Sequence, residues 1–128
     1  AADLAAGLRE NAENPFRPPM VGYPGQLTDL QVHGQDIRRP LGLPHGLRPD
    51  RLRVSLDFLV GGRAPGFLPK SRPAGLRFEA TDLDWAWGSG PVVRGTAEAV
   101  MLALTGRTVV LTELDGDGVA VLRDRLTR

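Results

Sequence analysis

In the stretch "TDLQVHGQD", Asp29 stands four residues before His33, and Asp36 follows three residues after it. On a helix these positions fall along one face, so two carboxylates and an imidazole are neighbours there. One turn separates Asp29 from His33, which lets both side chains reach one cation. A carboxylate and an imidazole together suit zinc or a similar divalent ion. Two donors are too few, because a catalytic zinc usually takes three protein ligands and keeps one position open. The other histidine of the chain, His45, lies in the Pro/Gly stretch "LGLPHGLRP", and nothing in its spacing demands that it complete the set. The same residues also fit an ordinary charged helix face. Asp29 complements a helix start, His33 can be a hydrogen-bonded histidine at a packing surface, and Asp36 is close in sequence to Arg38 and Arg39.

The elements that must carry these residues follow from periodicity and breakers. A helix is expected over about 1–13, from Leu4 and Leu8. "PFRPPMVGYPG", with four prolines and two glycines in eleven residues, is expected to be a loop. Thr28 then caps the helix that bears the candidate site, with Leu30 and Ile37 on an apolar stripe, and Pro40 and Gly42 end it. Pro49 opens a further helix with Leu52, Leu56 and Leu59 on its apolar face, stopped by Gly61-Gly62. "GGRAPGFLPKSRPAG" has linker composition. Alternation and turn signals then predict short strands near 75–80, 83–87 and 91–94. A helix capped by Thr96, with Glu98 in its first turn, ends at Gly106, and a last helix opens near 117.

The fold class expected is α+β. Residues 1–62 form part of a helical bundle, 63–74 a linker, and 75–128 a small α+β domain with a short antiparallel sheet.

Composition narrows the function. Sixteen basic and fifteen acidic residues leave a formal charge of +1, which argues against nucleic acid and a lipid surface as partners. The absence of cysteine excludes disulfides, thiolate ligands and a cysteine nucleophile, and fits a cytoplasmic protein. Any thiol chemistry must therefore come from a cofactor. Trp85 and Trp87 share a strand face and are best explained as a packed aromatic pair. "ELDGDG" lacks the twelve-residue calcium-loop pattern, and "GSGP" is a turn rather than a phosphate loop.

"LTDLQVHGQDIRRPLGLP" resembles the last metal-ligand helix of the mycothiol-dependent maleylpyruvate isomerase family, whose bundle is DinB-like. "ATDLDWAWGSGPVVRGTAEAVMLALTGR" and "LDGDGVAVLRDRL" are similar to that family's small C-terminal domain, related to sterol-carrier-like folds. The resemblance covers about residues 27–127. It implies a site of two histidines and one acid, with the acid-x-x-x-His element on Asp29 and His33. The best-known members carry glutamate where this chain has Asp29, one methylene shorter. The first histidine belongs to an earlier helix, so the chain is expected to be the C-terminal portion of a longer protein and inactive alone.

The resemblance further implies a divalent metal, expected to be zinc, and mycothiol as cofactors, with a small-molecule substrate. The metal-held thiolate adds to an activated double bond, the resulting single bond rotates, and the thiolate leaves. An arginine from the small domain is expected to hold the acidic substrate: Arg107 first, Arg94 second. A helix-end cation near the dipole is the competing explanation of Arg107, and Asp36 is expected to orient a neighbouring group. Two other classes remain open. One is a non-enzymatic module binding an apolar ligand near Trp85, Trp87 and the 100–104 helix. The other is a regulatory module that contacts a protein partner.

Overall fold

The computed structural model describes residues 23–43, 46–61, 64 and 66–127. The helix expected over 1–13 lies outside these residues, as does His45. In chain order the elements are α1 (Tyr23–Leu41), α2 (Pro49–Val60), β1 (Arg77–Ala80), β2 (Ala86–Gly88), β3 (Val92–Gly95), α3 (Ala97–Leu104), a 3-10 helix (Thr108–Glu113) and α4 (Gly118–Thr127). The chain is thus mixed α and β, with helices around a small three-stranded sheet.

The helix that carries the candidate site begins at Tyr23, so the expected loop gives way to helix before Thr28. Pro24 sits in the first turn, where its missing N–H has no intrahelical partner to lose. Thr28 is not a cap. It is fully buried, with Oγ1 donating to the Pro24 carbonyl at 2.8 Å and 2.9 Å from Ser55 Oγ on α2. Gln31 Nε2 reaches the same Ser55 Oγ at 2.7 Å and the Arg51 carbonyl at 3.2 Å. The inward face of α1 is therefore Leu27, Thr28, Gln31, Val32 and Gln35. Leu30 and Ile37, expected as its apolar stripe, are 39% and 63% exposed. A polar seam buries this helix, which hydropathy periodicity does not detect. Pro40 is its penultimate residue, and Gly42, at φ 67°, supplies the left-handed end.

The helix α2 follows its expected pattern. Pro49 occupies the first turn, Leu52, Leu56 and Leu59 are buried, and Gly61 follows its last residue. Phe67 packs edge-on against Phe58 with centroids 5.4 Å apart. Ala64, Phe67 and Leu68, within the stretch of linker composition, all join the core. That core is continuous from Val32 and Leu56 through Phe78 and Val93 to α3 and Leu122.

The sheet is mixed rather than antiparallel. The central strand β1 pairs antiparallel with β2 and parallel with β3. To reach the far edge, the chain after β2 crosses over the start of β1 within Ser89–Pro91. A Cβ on Gly88 would lie 2.2 Å from the Leu76 carbonyl oxygen, and one on Gly90 2.2 Å from that of Gly75. Both glycines have positive φ, 85° and 129°. The "GSGP" stretch is thus a crossing point that only glycine backbone fits.

Thr96 caps α3, accepting from the Ala99 amide at 3.1 Å. Every residue of α3 is buried, which suits a helix that is apolar all round except for Glu98. Gly106, at φ 97°, turns the chain out of α3 and presents Arg107. The 3-10 helix was not foreseen from sequence. Among the described residues, no helix is long and apolar enough to cross a membrane.

Candidate functional site

The helix α1 holds Asp29, His33 and Asp36 on its outer face, and the fold adds a fourth residue to them. Asp29 Oδ1 lies 3.0 Å from His33 Nε2, and Asp36 Oδ2 lies 3.4 Å from His33 Nδ1. Each ring nitrogen therefore faces a carboxylate. Arg107, 71 residues beyond Asp36, donates Nη2 to Asp36 Oδ2 at 2.7 Å and Nε to Asp36 Oδ1 at 3.2 Å. Its Nη1 donates to the Thr105 carbonyl at 2.8 Å, which fixes the guanidinium at the end of α3. The result is a continuous chain of contacts: Asp29, His33, Asp36, Arg107.

The Arg107 hydrogen bonds hold the Asp36 carboxyl below its ordinary range, against the opposing effect of burial, with His33 a smaller contributor. Asp36 therefore stays ionised well into acid. Its expected surface pairing with Arg38 or Arg39 is not what the fold makes. Arg38 donates to Gln35 at 2.8 Å, and Arg39 goes elsewhere.

Asp29, His33 and Arg107 line a groove of about 330 Å³, walled by Val32, Gly66, Phe67 and Thr105. Two of the three expected site residues thus share a helix face, and the third arrives from the other half of the chain. Arg94 does not join them. It pairs with Glu79 and Asp115, and its backbone bridges Asp115 beside β3.

The donor set can be tested against a metal. Two ligands of a tetrahedral zinc, with bonds of about 2.0 Å, stand about 3.3 Å apart. The 3.0 Å between Asp29 and His33 is close to that edge. Asp36, on the opposite nitrogen, occupies the place of the carboxylate that commonly orients a ligating histidine. Yet among the described residues, no three His, Asp or Glu side chains form a group able to hold an ion. The described residues thus supply at most two donors, at a spacing that is also that of a direct imidazole–carboxylate contact.

Sequence inspection missed a second charged cluster that fixes this helix. Arg39, read only as a surface cation, donates Nε and Nη2 to Glu98 at 2.8 and 2.5 Å. It also donates Nη1 and Nη2 to Glu113 at 2.6 and 3.1 Å. The cluster joins α1, α3 and the 3-10 helix. Glu98, placed in a buried turn of an otherwise apolar helix, was the available signal, since a buried carboxylate demands a cation.

The surface expected to take an apolar ligand is packed inside. Trp85 is buried, with its indole N–H on Asp57 Oδ1 at 2.8 Å, and Trp87 leans on Phe78 at 6.3 Å between ring centroids. In comparisons with protein-family models, curated proteins and solved structures, nothing matched this chain.

Proposed function

We propose that the groove at Asp29, His33 and Arg107 is part of a metal-assisted thiol-chemistry site. On this proposal the chain belongs to a metal- and mycothiol-dependent isomerase or thiol transferase of the maleylpyruvate isomerase family, with α1 and α2 as helices of a DinB-like bundle. The observation that carries it is the environment of His33. His33 Nε2 lies 3.0 Å from Asp29 Oδ1 and Nδ1 lies 3.4 Å from Asp36 Oδ2, so a divalent ion held between Nε2 and Asp29 would take the place of a proton there and leave Asp36 to hold the Nδ1–H. A carboxylate behind the second ring nitrogen is the support that ligating histidines commonly have.

Asp29 and His33 would hold a divalent ion, expected to be zinc, with a further donor from beyond the described residues. Bound there, the ion and the thiol of mycothiol would supply a thiolate nucleophile able to add to, and leave, an activated double bond. Arg107 then has a positioning role: it fixes Asp36, and Asp36 fixes the imidazole. A substrate carboxylate at Arg107 has to share the guanidinium with Asp36. Val32 and Phe67 supply the apolar part of the groove wall.

Zinc binding by equilibrium dialysis of the intact protein tests the proposal. The wild type is expected to retain about one zinc per chain, and His33→Ala to lose it. Asp36→Asn is expected to weaken zinc about 10- to 100-fold without changing the stoichiometry. Equal zinc retention by wild type and His33→Ala would return the stretch to a charged helix face.

A further inference from the structure

On the other side of the Asp36–Arg107 pair lies a second, larger cavity, of about 600 Å³. Its apolar walls are Pro40, Leu43, Leu102 and Val109. The volume is that of a small-molecule site. Leu43 and Val109 stand at its edge, 47% and 66% exposed, although both are large apolar residues. We propose that this cavity is a binding site for an uncharged, largely apolar small molecule.

The charge of the occupant follows from the polar residues of the wall. Arg107 is engaged by Asp36 and the Thr105 carbonyl. Arg39 is engaged by Glu98 and Glu113. Gln35 accepts from Arg38. Both guanidinium groups are therefore paired, Arg107 with Asp36 in the wall and Arg39 with Glu98 and Glu113 outside it. An anion entering here meets guanidinium groups whose charge is already paired, and at Arg107 it lies beside the Asp36 carboxylate, so it gains less than at a free arginine. An uncharged body covers Leu43, Leu102 and Val109 and needs no charge partner. The inference stands apart from the metal chemistry of the neighbouring groove, and its test uses neither metal nor thiol.

Two fluorescent probes with the same aromatic body make the comparison: neutral N-phenyl-1-naphthylamine and its sulfonated analogue, 1-anilinonaphthalene-8-sulfonate. Titrated into the chain, the neutral probe is expected to give a saturable one-to-one rise in emission. The sulfonate should bind at least about tenfold more weakly. Val109→Trp fills the cavity edge and should weaken the neutral probe at least about tenfold, whereas Val121→Trp, on α4, should leave it unchanged. Both variants are compared at an unfolding midpoint matched to wild type. Asp36→Asn releases Arg107 and should narrow the gap between the probes. The proposal is overturned by no saturable signal from the neutral probe, by equal affinity for the two probes, or by a Val109→Trp affinity equal to wild type.

Discussion

Replacing Arg39 by methionine tests whether a buried charge cluster sets the position of the helix that carries the site. Met keeps much of the apolar stem and removes the guanidinium. In the native protein the side chains of Arg39 and Glu98 are 18% and 11% exposed, whereas Glu113 is 43% exposed. The Glu113 pairing is solvent-screened and contributes at most about 0.5 kcal/mol. The Glu98 pairing is different, because removing one partner of a buried pair costs about 3–5 kcal/mol. Glu98 also borders an open cavity of about 610 Å³, so water partly relieves its carboxylate and favours the low end. The expected loss is about 2–3 kcal/mol, or about 10–15 °C in Tm for a domain of this size.

Urea unfolding followed by Trp85 and Trp87 emission measures it. The informative variant is the double mutant. If the cost arises from a carboxylate deprived of its guanidinium, Arg39→Met/Glu98→Gln recovers about half of the loss or more. A loss below about 1 kcal/mol in Arg39→Met refutes the argument, as does a double mutant no more stable than the single one.

Three further outcomes are expected. The Arg107 pairing holds the Asp36 carboxyl below the 3.8 of a free aspartate, so it stabilises the fold above that pH and is lost as pH falls through the folded value. The stability difference between wild type and Asp36→Asn should shrink as pH falls below about 3.8, measured by urea unfolding across pH; exposure of the carboxylate keeps it under about 1 kcal/mol. Gly90→Ala puts a Cβ 2.2 Å from the Gly75 carbonyl oxygen at φ 129°, and should cost at least about 2–3 kcal/mol in the same assay, because both steric overlap and an unfavourable backbone region count against it. Thr28→Val removes the hydroxyl that meets Ser55 and should cost about 1–3 kcal/mol, with amide exchange speeding up first in α1.

What the sequence makes legible here divides along one physical line. Features held by neighbours in sequence were readable: the Pro49 start and Leu52/Leu56/Leu59 face of α2, the Thr96 cap of α3, and the shared face of Asp29, His33 and Asp36. Features held by distant partners were not. Thr28 looked like a cap because its real neighbour, Ser55, is 27 residues away. "GSGP" looked like a turn because the backbone it crosses, Gly75 and Leu76 just ahead of β1, is more than ten residues away in sequence. Asp36 and Arg107 were both singled out, yet only the fold brings them together.

The arginines show why local spacing chose the wrong pairs. Arg39 is three residues from Asp36, a distance at which helix pairs form readily. The fold instead sends Arg39 inward, where a cation leaving water needs strong compensation, and both Glu98 and Glu113 provide it. Asp36, at the rim, is left for Arg107, whose side chain is 28% exposed against 18% for Arg39. Burial thus decides which carboxylate takes which arginine. The same choice leaves an ionised Asp36 beside His33, so the links from α1 to Glu98 and Arg107 set the charge of the face that α1 turns outward.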